Sequence, residues 1–225
     1  MSGRSVLFDT ETTGFEPLTG DRVIEIAAIE LVNDLPTGKE FYALLDPERD
    51  IPSDSTRVHG ITNAHVEGKP KFGDVADDML AFFGASPLVA HNAPFDFAFV
   101  SHELERVGRP KLDKARMIDT LVIAKQRFPG MPNSLDALCR RFEIDLSARS
   151  THNALLDCKL LADVYVELTG GRQRGLTLES DPALAFAQYE KPAHRTARVI
   201  TPTEEQLSTH AAFVGKIKDN IWSKE

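Results

Sequence analysis

Asp9 and Glu11 stand two residues apart in Phe8-Asp9-Thr10-Glu11-Thr12-Thr13-Gly14, directly after the apolar triplet Val6-Leu7-Phe8. A strand alternates its side chains with a period of two, so both carboxylates point the same way. Like charges held together repel, and hard oxygen donors at that separation suit magnesium or manganese rather than zinc. A lone Asp-x-Glu is also what acidic residues leaving a strand for solvent look like, so the pair needs company. It comes from Ala90-His91-Asn92-Ala93-Pro94-Phe95-Asp96, where a short apolar run enters a polar turn and Asp96 sits near a helix start. Asp96 alone would serve equally well against the helix dipole. The third segment is His152-Asn153-Ala154-Leu155-Leu156-Asp157. On an ideal helix five residues place His152 and Asp157 about 140° apart, so they converge only if His152 lies in the turn before the helix. A histidine there suits a general base, because the unperturbed pKa of imidazole is about 6.5. Three separate segments thus deliver acids where a strand ends or a helix begins, which is where sheet-based sites are built.

The elements that must carry these residues follow from periodicity. Val6–Phe8 is predicted as a short buried strand. Arg22–Val32 is rich in Ile, Val and Ala, and Phe41–Leu45 alternates after a Pro-Thr-Gly turn, which predicts a hairpin. Asp74–Phe83 is helical in pattern, Pro87–Ala90 is a short strand, and Phe95–Val107 is an amphipathic helix stopped by Gly108 and Pro110. Beyond Asp119, Leu121–Phe128, Ser134–Phe142 and Ala154–Leu168 are predicted helices, the last ended by Gly170 and Gly171. Strands first and strand–helix alternation afterwards give an α/β domain with a mixed sheet flanked by helices, filling residues 1–171.

Residues 172–200 are poor in aliphatic side chains and are expected to form a linker. In 201–225, Thr201-Pro202-Thr203-Glu204 has the form of a capping box with proline at the first helical position. Leu207, Ala211, Val214, Ile217 and Ile221 then share a helical face, with Trp222 beside the last, as a docking helix would. Cys139 and Cys158 lie in helical patterns without zinc-site spacing and are expected as reduced core thiols. No apolar run approaches the ~20 residues needed to cross a bilayer, and the N-terminus lacks a signal-peptide pattern, so a soluble cytoplasmic protein is expected. The formal net charge of −8 argues against unaided, high-affinity grip on nucleic acid.

Asp9, Glu11, Asp96, Asp157 and His152 together resemble the DEDDh exonuclease family, in order and in spacing. The likeness continues through Val23-Ile24-Glu25-Ile26, Val58-His59-Gly60-Ile61, Asn133-Ser134-Leu135-Asp136-Ala137-Leu138-Cys139 and the run to Thr169-Gly170-Gly171. It is strongest with the proofreading subunits of bacterial replicative polymerases. The resemblance implies a ribonuclease-H-like sheet and removal of nucleoside 5′-monophosphates from a DNA 3′ end with two divalent ions, Mg2+ or Mn2+. It implies that Asp9, Glu11 and Asp157 hold the metals, with Asp96 assisting directly or through water, and that His152 takes a proton from the attacking water. Glu11, Thr12, His59, His91, Asn92 and Phe95 are implied contacts of the 3′-terminal nucleotides. Gln173, Leu176 and Leu178 resemble a short sliding-clamp-binding motif, with Leu178 where an aromatic residue is usual. The C-terminal stripe is implied to dock on the polymerase catalytic subunit, which would supply DNA affinity through effective concentration. Relatives that trim RNA carry the same five residues, and a non-catalytic assembly factor would be expected to have lost some of them.

Overall fold

The computed structural model describes residues 3–147, 149, 151–170 and 201–218. The chain divides into two units, Met1–Thr177 and Leu178–Glu225. In the first, a mixed sheet of five strands has the order β3-β2-β1-β4-β5. Its strands are β1 (Arg4–Thr12), β2 (Val23–Val32), β3 (Leu35–Leu44), β4 (Leu88–Ala90) and β5 (Met117–Asp119). β1 to β3 form an antiparallel meander, while β4 and β5 join β1 in parallel. β1 is therefore central, and it runs on through Asp9 and Glu11 instead of stopping at Phe8.

Alternation along β1 builds two cores. Val6 and Phe8 face α3 (Phe72–Phe83) and α4 (Ala93–Arg106), packing with Met79, Phe83, Phe97, Val100 and Leu104. Leu7 faces the other side, where Ala124 of α5 (Thr120–Arg127), Leu138 of α6 (Leu135–Arg141) and Leu161 and Tyr165 of α7 (Ala154–Leu168) cover the sheet. Asp9 and Glu11 continue the Leu7 face, so they are directed toward α7. Cys139 and Cys158 are buried free thiols in this second core, as expected.

The hairpin differs from expectation. Its turn is Asn33-Asp34, both at positive φ (53° and 63°), a conformation that Asn and Asp tolerate, and β3 begins at Leu35. Pro36-Thr37-Gly38 thus lies within the strand. β3 is the sheet's edge, where proline's missing N–H costs no ladder bond. Two short helices, α1 (Ser53–His59) and α2 (Asn63–Val66), and strand β5 were not anticipated, being too brief to show a period. Helix α4 starts two residues early because Asn92 takes a left-handed conformation (φ 65°) and Pro94 fits the first turn.

The second unit contains α8 (Glu204–Val214) among its described residues. The cap is Thr203, whose Oγ1 accepts from Gln206 N at 3.3 Å while the Gln206 side chain accepts from Thr203 N at 3.0 Å. The capping box is therefore shifted by two residues from the predicted one, and Pro202 precedes the helix. Ile217 lies past the helix end, and Ile221 and Trp222 lie outside the described residues, as do Gln173, Leu176 and Leu178. No helix among the described residues is long and apolar enough to cross a membrane.

One buried ion pair ties α4 to the strand beside β1. Arg22 donates from Nε to Glu103 Oε1 at 2.6 Å and from Nη2 to Oε2 at 3.0 Å, and Val23 N adds a bond of 3.2 Å. The Arg22 and Glu103 side chains are 7% and 1% exposed. Substituting Arg22→Ala strands a buried carboxylate and is expected to lower unfolding free energy by about 3–5 kcal/mol, read from urea denaturation.

Candidate active site

The C-terminal half of β1 forms the floor of the site. Thr13 N pairs with Arg22 O beyond the strand, and the chain then turns at Gly14, where a Cβ would lie 2.2 Å from Asp21 Oδ2. Only glycine fits that approach. Asp96, in the first turn of α4, accepts on Oδ1 from Thr10 N at 3.0 Å and Thr10 Oγ1 at 2.7 Å, so its carboxylate is fixed to β1 from the opposite side of the sheet.

Asp157 enters from α7. Asn153 caps that helix by accepting from Leu156 N at 3.0 Å, and His152 lies just before the cap, as its convergence with Asp157 requires. His152 N donates to Val58 O at the end of α1 (3.2 Å), and its ring, 48% exposed, brings Nδ1 to 3.3 Å from Asp157 Oδ2. Ligand atoms of Glu11, His152 and Asp157 all lie within 4.8 Å of one another. The five residues singled out from the sequence line one cavity of about 620 Å³.

His91, Asn92 and Phe95 line this cavity too. Burial lowers the His91 pKa, favouring its neutral form, and its Nδ1 lies 2.9 Å from Thr120 Oγ1. Asn92 is held by Asp119, which accepts from Asn92 N at 3.0 Å and caps α5. Thr12 and His59 are buried beyond the cavity wall. Thr12 Oγ1 donates to Gly14 O at 2.6 Å. His59 Nδ1 accepts from Ile61 N at 3.0 Å, so the neutral ring carries its proton on Nε2, a buried atom turned toward the Thr12 main chain.

Four further residues belong to the site. Glu25 of β2 lies opposite Glu11 in the ladder and accepts from Tyr42 OH (2.7 Å), Asn153 Nδ2 (2.9 Å) and Ala154 N (2.8 Å). It bolts the start of α7 to the sheet between His152 and Asp157. A single acid in the apolar run Val23-Ile24-Glu25-Ile26 was the available signal. Arg149 lines the cavity and grips Asp157 with Nε at 2.6 Å and Nη2 at 2.8 Å, while Nη1 bonds Asp136. Nothing in their spacing reveals this pairing. Phe15, 81% exposed, meets the ring of cavity-lining Phe95 edge-on at 6.5 Å; an aromatic in a polar loop was its only mark.

The electrostatics follow from crowding. Burial, then Asp96 and Glu11, push the Asp9 carboxyl well above its ordinary value. Burial, then Asp157 and Glu25, raise Glu11 to about 8. Burial raises Asp96 to about 7 despite the Thr10 hydrogen bonds. Burial works on Asp157 in the same direction, but the Arg149 guanidinium and His152 hold it below the usual range. Clustered oxygen donors, three with proton affinities raised by mutual repulsion and burial, fit a divalent metal. Asp9, Glu11, Asp96 and Asp157 would hold it.

A pH dependence follows. Unfolded carboxyls titrate near 4 and unfolded histidines near 6.5, so between about pH 6.5 and 8, where the lowered His59 and His91 no longer oppose the trend, the folded metal-free chain binds more protons than the unfolded chain and loses stability as pH rises. Melting scans in chelator are expected to show Tm falling over that window. Added magnesium or manganese should raise Tm more at pH 8 than at pH 6, and equal shifts at both would contradict the assignment.

Residues 6–165 match the family model described as Exonuclease. The chain is 45% identical to DNA polymerase III subunit epsilon of Rickettsia felis over 95% of this chain and 96% of that one. It is 37% identical to the subunit of the same name from Escherichia coli, covering 93% and 91% respectively. Among solved structures, Exonuclease X in complex with 5′ overhanging duplex DNA superposes with a TM-score of 0.55 at 26% identity, over 73% of this chain and 90% of that one. With an exonuclease fold, a carboxylate cluster at its centre and this breadth of identity, the chain belongs to the exonuclease family, among the epsilon subunits of DNA polymerase III.

Proposed function

We propose that this chain removes nucleoside 5′-monophosphates from DNA 3′ ends, as the proofreading subunit of a replicative polymerase in the cytoplasm. The observation that carries the reading is the meeting of Asp9, Glu11, Asp96, Asp157 and His152 around one cavity. Two magnesium or manganese ions, held by Asp9, Glu11 and Asp157 with help from Asp96, would supply Lewis-acid stabilisation of the attacking and leaving oxygens. His152, half exposed and hinged before the α7 cap, accepts a proton from the attacking water. Glu11, His91 and Asn92, which line the cavity, contact the terminal nucleotide, and Thr12 and His59, buried behind its wall, back the strand end against which it sits. Phe95, with exposed Phe15 beside it, offers aromatic faces to single-stranded bases, a sequence-tolerant grip suited to frayed ends.

Residues 1–171 act as the exonuclease, 172–200 as a linker carrying the clamp motif Gln173, Leu176 and Leu178, and 201–225 as the polymerase-docking segment. The capped helix α8, with Leu207 53% exposed, supports the last assignment. The names of the relatives support DNA over RNA and a polymerase as the partner.

The test is metal-dependent release of nucleotides from 3′-labelled single-stranded DNA and matched RNA. Asp9→Ala is expected to abolish release, and His152→Ala to lower kcat by about 10²–10⁴-fold, the usual contribution of a general base. Faster release from RNA would replace the proofreading reading with RNA trimming.

A further inference from the structure

We propose that Arg149 is an exchange residue, occupying the carboxylate of Asp157 in the metal-free chain and passing to the phosphate of the terminal nucleotide when the site is loaded. This rests on the exonuclease reading above. The Arg149 side chain is 9% exposed and makes a two-pronged contact with both Asp157 oxygens, at 2.6 and 2.8 Å. The same Nη2 lies 2.9 Å from His152 Nδ1. His152 Nδ1 also stands 3.3 Å from Asp157 Oδ2, so the guanidinium crowds the imidazole nitrogen that faces the carboxylate. One side chain therefore engages a proposed metal ligand and the proposed base together.

The fork leaves each Asp157 oxygen a second lone-pair site, but a guanidinium at 2.6 and 2.8 Å repels a divalent ion approaching the same carboxylate. Loading therefore draws Arg149 off at least one of the two oxygens. The third contact decides where it goes. Nη1 is bonded to Asp136, which stands in the first turn of α6, outside the five residues, with its side chain 41% exposed. Held by that tether, the guanidinium stays at the cavity wall, and the anion that then enters the cavity is the substrate phosphate. Its planar fork matches phosphate as well as carboxylate.

The exchange has a signature that a purely structural arginine lacks: loss of Arg149 should strengthen metal binding and weaken nucleotide binding. Calorimetric titration of the full chain with manganese, and then of the manganese-loaded chain with thymidine 5′-monophosphate, reads both affinities without using turnover. Arg149→Ala is expected to bind manganese about tenfold more tightly and the nucleotide about tenfold more weakly, the scale of one charge-assisted contact. Arg149→Lys keeps the charge but cannot fork, so it should also bind manganese more tightly than wild type; if only net charge mattered, it would match wild type. Melting curves confirm that each variant is folded, and the lysine variant carries the test if alanine is not. Affinities that move together, or stay at wild-type values, overturn the proposal. If wild type releases nucleotides while the affinities do so, this inference alone falls. If wild type shows no metal-dependent release or manganese binding, the functional reading falls with it.

Discussion

Mutual repulsion among carboxylates is the constraint around which this fold is arranged. Asp9, Glu11, Glu25, Asp96 and Asp157 come from two strands and two helices and converge at one end of the sheet. Nothing favourable to folding arises from their meeting, so each must be held by something else. Asp96 is held by the backbone and hydroxyl of Thr10, Asp157 by Arg149, and Glu25 by Tyr42, Asn153 and Ala154. Asp9 and Glu11 are held by covalent attachment to the central strand, which β2 pairs through Asp9 and Glu11 and β4 pairs just before them, at Val6 and Leu7.

The two hydrophobic cores make that holding possible. Because β1 is buried on both faces, α3 and α4 are locked to one side and α5, α6 and α7 to the other. Asp96 and Asp157 therefore approach the strand end from opposite layers, and their separation is set by side-chain packing well away from the acids. A carboxylate cluster assembled on loops would relax apart; here relaxation would mean opening a close-packed interior.

Much of this was legible in the sequence. Helix α7 has the bounds its apolar pattern predicts, and the strand–acid junction at Phe8-Asp9 and the His152 position before the helix follow from period and geometry. Less visible were features decided by tertiary pairing. β3 absorbs Pro36 because it happens to be an edge, and β5 exists as three residues only because β4 offers it a parallel partner. Arg149 looks like any polar loop residue until Asp157 and Asp136 are brought to it. Glu25 was conspicuous as an acid in an apolar run, but its partners lie over 125 residues away for Asn153 and Ala154. Local pattern cannot encode contacts of that range.

The bond from His152 N to Val58 O runs between main-chain atoms. It joins the segment carrying the ring of His152 to the helix that ends at His59, so the two histidines are tied to one another through peptide groups. Side-chain replacement at position 58 or 152 leaves both bonding atoms in place, unless proline removes the N–H. A substitution in either stretch can thus alter the shape and chemistry of the pocket while leaving in place the main-chain bond that fixes one segment against the other.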